Sequence, residues 1–160
     1  AERSVSYFES FRRAAASVIA AVREASKFET PIFPCIRDIH REHVLFQGNQ
    51  VSGLIDFGAL ELDSPAADLA RLLASMAIDQ PALWNLGLAT YGRRRQLSET
   101  EIRLVSAYDA TAMLLSGINW LSWVFADLRR FENRSAVLAR LDANAARLMR
   151  LANSRGTIAV

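Results

Sequence analysis

The chain has 160 residues, of which 51% are hydrophobic, with a formal net charge of +2 and one cysteine, Cys35. That is enough apolar material to build a core without covalent staples, and the lone cysteine excludes an internal disulfide and fits a reducing cytoplasm. The small net charge gives no reason to expect a nucleic acid or a membrane surface as partner.

Taken in order, residues 2–27 read as an amphipathic helix. Phe8, Phe11, Ala15, Val18, Ile19 and Val22 recur at helical spacing. Pro31 and Pro34 end it and favour an extended segment into Cys35 and Ile36. Val44–Phe46 and Val51–Ile55 are β-prone runs around Gly48-Asn49, a dipeptide suited to a tight hairpin. Pairing Gln47 with Gln50 or Val51 sets His43 opposite Leu54 or Ile55. The hairpin then gathers Asp38, His43 and Asp56 into one small volume.

Beyond the hairpin, Ser64-Pro65 is a helix start, a cap followed by proline at the first helical position. Leu69, Leu72, Leu73 and Met76 then share one side. Asp68 lies in the first turns, where its charge suits the helix dipole and its side chain is placed to bond the preceding loop. A further helix is expected from Pro81 to about Arg93, with Arg93-Arg94-Arg95 as its solvated end. Ser98-Glu99-Thr100-Glu101 matches a capping box. The uncharged run 110–126 is shorter than the ~20 apolar residues of a membrane span and carries Asn119 and three hydroxyl residues. It reads as a central buried helix bent at Gly117, with Trp120, Trp123 and Phe125 in the core. Phe131-Glu132-Asn133 breaks the pattern. Val137 to Ala152 resumes it as a last helix, and 153–160 reads as a frayed end. There is no internal repeat and no linker, so one domain, 1–160, is expected, mainly α with a small β-hairpin.

The spacing of charged residues carries a chemical reading. Phosphoryl transfer needs a carboxylate at the acceptor hydroxyl and further ligands for the magnesium that accompanies the nucleotide phosphates. Arg37-Asp38, four residues and then His43 echoes the kinase order Arg-Asp, four residues, Asn, and Asp56-Phe57-Gly58 echoes Asp-Phe-Gly. Ile36-Arg37-Asp38-Ile39-His40-Arg41-Glu42-His43-Val44-Leu45, then Ile55-Asp56-Phe57-Gly58, then Ser64-Pro65-Ala66-Ala67-Asp68-Leu69-Ala70 resembles the aminoglycoside phosphotransferase and choline kinase group, a branch of the protein-kinase-like fold. That group carries His-Gly-Asp-x-His-x-x-Asn, a hairpin, Ile-Asp-Phe/Trp-Gly/Glu and Asp-Pro-x-x-Asp-Leu-Ala.

The resemblance implies that Asp38 is the catalytic base and Asp56 a magnesium ligand. Arg37, His40, His43 and Asp68 would orient substrate or site, with His43 also a possible metal ligand. It further implies ATP and Mg²⁺ as cofactors and a small molecule as acceptor. Three departures stand out: Ile36 and Arg37 replace His-Gly, and His43 replaces the metal-binding Asn. Imidazole is a poor magnesium ligand, so His43 is expected to reach Asp38 or Asp56 and leave the metal to water. The seven glycines form no Gly-x-Gly-x-x-Gly, and the one lysine, Lys27, ends a helical pattern rather than sitting on a strand. Together with the start at Ala1-Glu2-Arg3, this gives the expectation of a C-terminal lobe whose N-terminal, nucleotide-gripping lobe lies outside the chain.

Two other readings are a degenerate kinase-like binding module and a helical interaction domain whose aspartates merely finish hairpin ends. A zinc site from Cys35, His40 and His43 lacks the usual ligand pairs. Glu61, Asp63 and Asp79 are acidic groups that would either attract a cationic substrate or be plain surface.

Overall fold

The structure is a computed structural model that describes residues 2–78 and 80–153. It is mostly helical with two small antiparallel strand pairs. The order is α1 (Glu2–Ala25), β1 (Phe33–Cys35), a 3₁₀ turn (Arg41–His43), β2 (Val44–Gln47), β3 (Gln50–Leu54), β4 (Glu61–Asp63), α2 (Pro65–Met76), α3 (Pro81–Gly92), α4 (Glu99–Leu121), a π turn (Ser122–Ala126) and α5 (Arg134–Asn153). The frayed end expected at 153–160 lies outside the described residues beyond Asn153, as does Asp79. The chain forms two compact units, one of residues 1–26 with 110–160 and one of residues 27–109.

The first unit is a helical core. Tyr7, Phe11, Ala14 and Val18 of α1 pack with Met113, Leu114 and Leu121 of α4 and with Val137, Leu141, Ala145 and Leu148 of α5. The runs of α1 and α5 follow the three-and-four spacing that keeps one stripe of a helix inward. The buried stripe of α1 is displaced from the expected one: Phe11 and Val18 are buried, but Phe8, Ile19 and Val22 are exposed. The stripe runs instead through Tyr7, whose hydroxyl donates to Asp142 Oδ1 on α5 at 2.5 Å. Trp120 and Phe125 pack against this core, and Trp120 meets Trp123 edge-on at 5.1 Å. Helix α4 continues through Gly117 and loses α geometry only at the π turn, so the irregularity expected at Gly117 lies further on. Gly117 serves close packing instead, because a Cβ there would overlap the Phe11 ring. No helix among the described residues is long and apolar enough to cross a membrane.

The second unit carries the strands. The hairpin β2–β3 closes through Gly48-Asn49 with Gln47 opposite Gln50 and Val44 opposite Leu54, and a bulge falls between Leu45 and Phe46. Gly48 takes φ +60° at the first turn position, which glycine adopts without a Cβ penalty. The second pair was not legible from alternation: β1 and β4 lie 25 residues apart and join Cys35 to Glu61. Helix α2 starts at Ser64, whose hydroxyl accepts from the Ala66 N–H. Its buried face is small, with Ala66, Ala67 and Ala70 alongside Leu69 and Leu73, while Met76 is exposed.

The capping box forms as expected. Ser98 Oγ accepts from Glu101 N, and Glu101 Oε2 accepts from Ser98 N. The arginine triplet departs from a solvated end at its last member. Arg95 pairs with the buried Glu101 carboxylate at 2.5 Å and lies 4.8 Å from the Phe33 ring centroid. A buried carboxylate needs a counter-ion, and Arg95 supplies it.

Candidate active site

The site is built on the loop between β1 and β2, and α2 holds that loop at three points. Asp68 accepts from the backbone N–H groups of Ile36 and Arg37, both at 2.7 Å. Arg71 Nη1 lies 3.4 Å from Asp38 Oδ1. Ser75 Oγ accepts from Arg41 N at 2.9 Å. Positions 68, 71 and 75 fall on one stripe of a 3.6-residue helix, so one face of α2 reads out the loop from end to end.

The grip of Asp68 has a backbone purpose. Arg37 adopts φ +65°, a left-handed conformation that costs a non-glycine residue about 1–2 kcal/mol. It stands where the resembling pattern has glycine, which takes that conformation freely. Two charge-assisted bonds from one carboxylate hold the turn in place. The Arg37 side chain folds away onto β4, pairing with Glu61 and, at 3.4 Å, with Asp63. Glu61 and Asp63 are thus partners of Arg37 rather than a free acidic lure for a cationic ligand.

Asp38 and Asp56 are both half-exposed, at 54% and 60% of the side chain. Asp38 faces an open cleft of about 430 Å³ lined by Arg37, Asp38, Gly58, Ala59, Leu60, Glu61 and Arg71. Asp56 follows β3 at φ +63°, in the left-handed region that aspartate tolerates better than most residues. A Cβ on Gly58 would touch Asp56 Oδ1 at 3.5 Å, so the Asp56 carboxylate lies against a glycine of the cleft wall. The hairpin register puts His43 beside Ile55, whose N–H donates to His43 O at 3.0 Å. It brings His43 Nε2 to 3.6 Å from Asp56 Oδ2, just beyond hydrogen-bond distance. Of the two carboxylates expected within reach of His43, Asp56 is the one it faces.

His43 is largely buried, and its Nδ1 has no hydrogen-bond partner among the described residues. Its ring centroid lies 3.8 Å from that of His40, with the two rings tilted by 36°, and His40 Nδ1 sits 3.0 Å from Glu42. A hydrogen bond from Arg41 and, to a smaller degree, the contact with His40 lower Glu42 to about 2. Cys35 is buried and donates to Asp63 O at 3.3 Å; burial first, then the charges of Asp68 and Asp63, raise its thiol above the ordinary value. Tyr108 is raised as well, by burial and then by Asp63. Cys35 is therefore a packed thiol bonded to a backbone carbonyl, and no group of three metal-ligating side chains gathers around it among the described residues.

No group of three or more His, Cys, Asp and Glu suited to a metal occurs among the described residues. Magnesium does not require one, since it keeps several waters and takes one or two carboxylates together with phosphate oxygens. Asp56 fits that use: it is a half-exposed hard oxygen donor at the edge of the cleft. His43 fits it poorly, being a nitrogen ligand whose one directed contact is Asp56.

Sequence reasoning missed Arg71 and Ser75. The available signal was polar residues at 68, 71 and 75, spaced by three and four along an otherwise apolar helix. A model of the phosphotransferase enzyme family matches residues 2–104, which takes in α1, both strand pairs, the loop, α2, α3 and the start of α4. No curated protein and no solved structure matches the chain.

Proposed function

The chain belongs to the phosphotransferase enzyme family, and from that premise we propose that it forms the acceptor-side lobe of an ATP-dependent kinase for a hydroxyl of a small molecule. Asp38 is the base and Asp56 the magnesium ligand. The observation that carries the reading is the placement of two half-exposed carboxylates at one cleft, Asp38 lining it and Asp56 against its Gly58 wall.

The chemistry assigns work to each residue. Asp38 accepts a hydrogen bond from the acceptor hydroxyl, orients it and takes its proton as the new bond forms. Asp56 would hold magnesium through a carboxylate oxygen, and the metal would supply charge neutralisation for the nucleotide phosphates. His43 faces Asp56 and would steady that carboxylate rather than hold the metal itself. Asp68 and Ser75 keep the loop rigid, which matters because a misplaced base forfeits much of the gain from orientation. The grip on the nucleotide phosphates, a strand lysine and a covering loop, comes from a second lobe, since Lys27 follows α1 in a turn and the glycines form no phosphate loop.

The test is transfer of label from γ-labelled ATP to a panel of hydroxyl-bearing small molecules by the complete gene product, with and without Mg²⁺. Magnesium-dependent label in one or more acceptors is the expected result. Folded protein that labels none of them, and does not hydrolyse ATP either, would contradict the reading.

A further inference from the structure

We propose that Arg71 is the cleft's phosphoryl-binding group: it takes the equatorial oxygens of the group being transferred and holds them beside Asp38. The inference rests on the phosphotransfer reading for its place in the reaction, but its binding component stands alone.

Two cations line the cleft, Arg37 and Arg71. Arg37 is committed to Glu61 and Asp63. Arg71 has one side-chain contact among the described residues, a single nitrogen 3.4 Å from Asp38, and its side chain is half-exposed. A guanidinium carries five N–H donors in a planar fork. Arg37 gives Nη1 and Nε to two carboxylates of β4, whereas Arg71 meets one carboxylate through one nitrogen and keeps the larger share of its donors for the mouth of the site.

Distance fixes what those donors can meet. A base works at about 2.6–3.2 Å from the hydroxyl oxygen it deprotonates, and that oxygen attacks from about 3–3.5 Å. Any phosphorus presented to a hydroxyl on Asp38 thus lies within about 6–7 Å of the carboxylate. Arg71 touches the same carboxylate and lines the same cleft, so a phosphorus presented to Asp38 from the cleft side brings its oxygens within reach of the guanidinium. Arginine is the side chain whose fork matches phosphate oxygens two at a time. Its anchor is firm, because Asp68 and Ser75 on the same face of α2 bond the loop that carries Asp38.

The step balances without a further reagent. The acceptor oxygen forms a bond to the γ-phosphorus of a nucleoside triphosphate, and the bond to the β-γ bridging oxygen breaks. That electron pair leaves with the nucleoside diphosphate, and the hydroxyl proton passes to Asp38. Arg71 exchanges no proton. In the empty cleft it partly neutralises Asp38; with a phosphoryl group present its donors turn to the stronger anion, and Asp38 is freed to accept the hydroxyl. Charge spreads over the equatorial oxygens in the transition state, where a fixed guanidinium acts most strongly.

The experiment uses the 160-residue chain with ¹⁵N-labelled arginine side chains, titrated with tripolyphosphate and, in parallel, with citrate. Tripolyphosphate should shift the Arg71 Nε–H signal, and affinity should fall about tenfold in Arg71→Met, with part restored in Arg71→Lys, a point charge without the fork. Arg94→Met, an exposed arginine of the same unit, should bind like wild type. Asp38→Asn should bind more tightly, because the competing anion is gone. In the complete gene product, Arg71→Lys should lower kcat for ATP turnover more than it raises KM. Tripolyphosphate binding that Arg71→Met leaves unchanged overturns the inference, as does a site that takes citrate through Arg71 and tripolyphosphate elsewhere. ATP turnover by wild type and Arg71→Met alike overturns it while leaving the phosphotransferase reading intact. Arg71-dependent binding of tripolyphosphate by a protein with no ATP turnover supports the anion site and counts against that reading.

Discussion

Replacing Asp68 by asparagine removes one carboxylate oxygen from a pair that holds two consecutive backbone N–H groups at 2.7 Å. Asparagine keeps one acceptor and turns an amide N–H₂ toward the other donor, so one bond is lost and one N–H in a half-buried loop goes unpaired. A hydrogen bond to a charged group is worth about 1.5–3 kcal/mol. The remaining neutral bond is weaker, and the left-handed turn at Arg37 loses half of its brace. We expect a loss of about 2–3 kcal/mol at neutral pH, a substantial part of a total of about 5–15 kcal/mol. Urea unfolding measures it from the midpoint at constant slope, and the melting temperature should fall by about 4–12 °C. A loss below about 0.5 kcal/mol, the range of an ordinary surface substitution, would refute the role given to Asp68.

Three further outcomes follow from single contacts. Gly117→Ala should destabilise by about 1–2 kcal/mol, because overlap with the Phe11 ring outweighs the gain in helix propensity, and Phe11→Leu in the same chain should recover part of it by urea unfolding. Glu101 is pushed up by burial, but bonds from Ser98 and Arg95 outweigh that and hold it below the ordinary carboxylate value. Its stabilisation is therefore present above that ordinary value and is lost as pH falls through the lowered one; Glu101→Gln should flatten the acid limb of stability measured between about pH 6 and 3, and an unchanged limb would count against the assignment. His43→Asn should keep or raise magnesium-dependent transfer in the complete gene product, whereas a manganese requirement in the wild type that disappears in His43→Asn would make His43 a metal ligand.

Much of the site was legible because it rests on local chemistry. The Gly48-Asn49 turn sets the register, and the register alone brings His43 beside Asp56. The capping box at Ser98–Glu101 and the cap at Ser64 were readable for the same reason, each being a pattern closed within four residues. What escaped depends on distant partners. The pairing of β1 with β4 joins two three-residue strands too short to show alternation. Arg95 reads as a solvated helix end until Glu101 is known to be buried beneath it. Helix α1 has apolar residues on more than one side, so periodicity could not decide between Tyr7 and Phe8. Arg37 was seen as a departure from glycine, but its left-handed backbone and the Asp68 brace that tolerates it belong to the folded loop.

Asp38→Ala in the complete gene product tests the central claim most directly. The side chain is half-exposed on a loop, and its one side-chain contact among the described residues is Arg71, so the variant should unfold in urea within about 0.5 kcal/mol of wild type. Label transfer from γ-labelled ATP, followed under single-turnover conditions, should fall by about 10²–10⁴-fold, the contribution of a positioned general base. A folded Asp38→Ala protein that transfers label at close to the wild-type rate would remove Asp38 from the chemistry and contradict the assignment of the cleft.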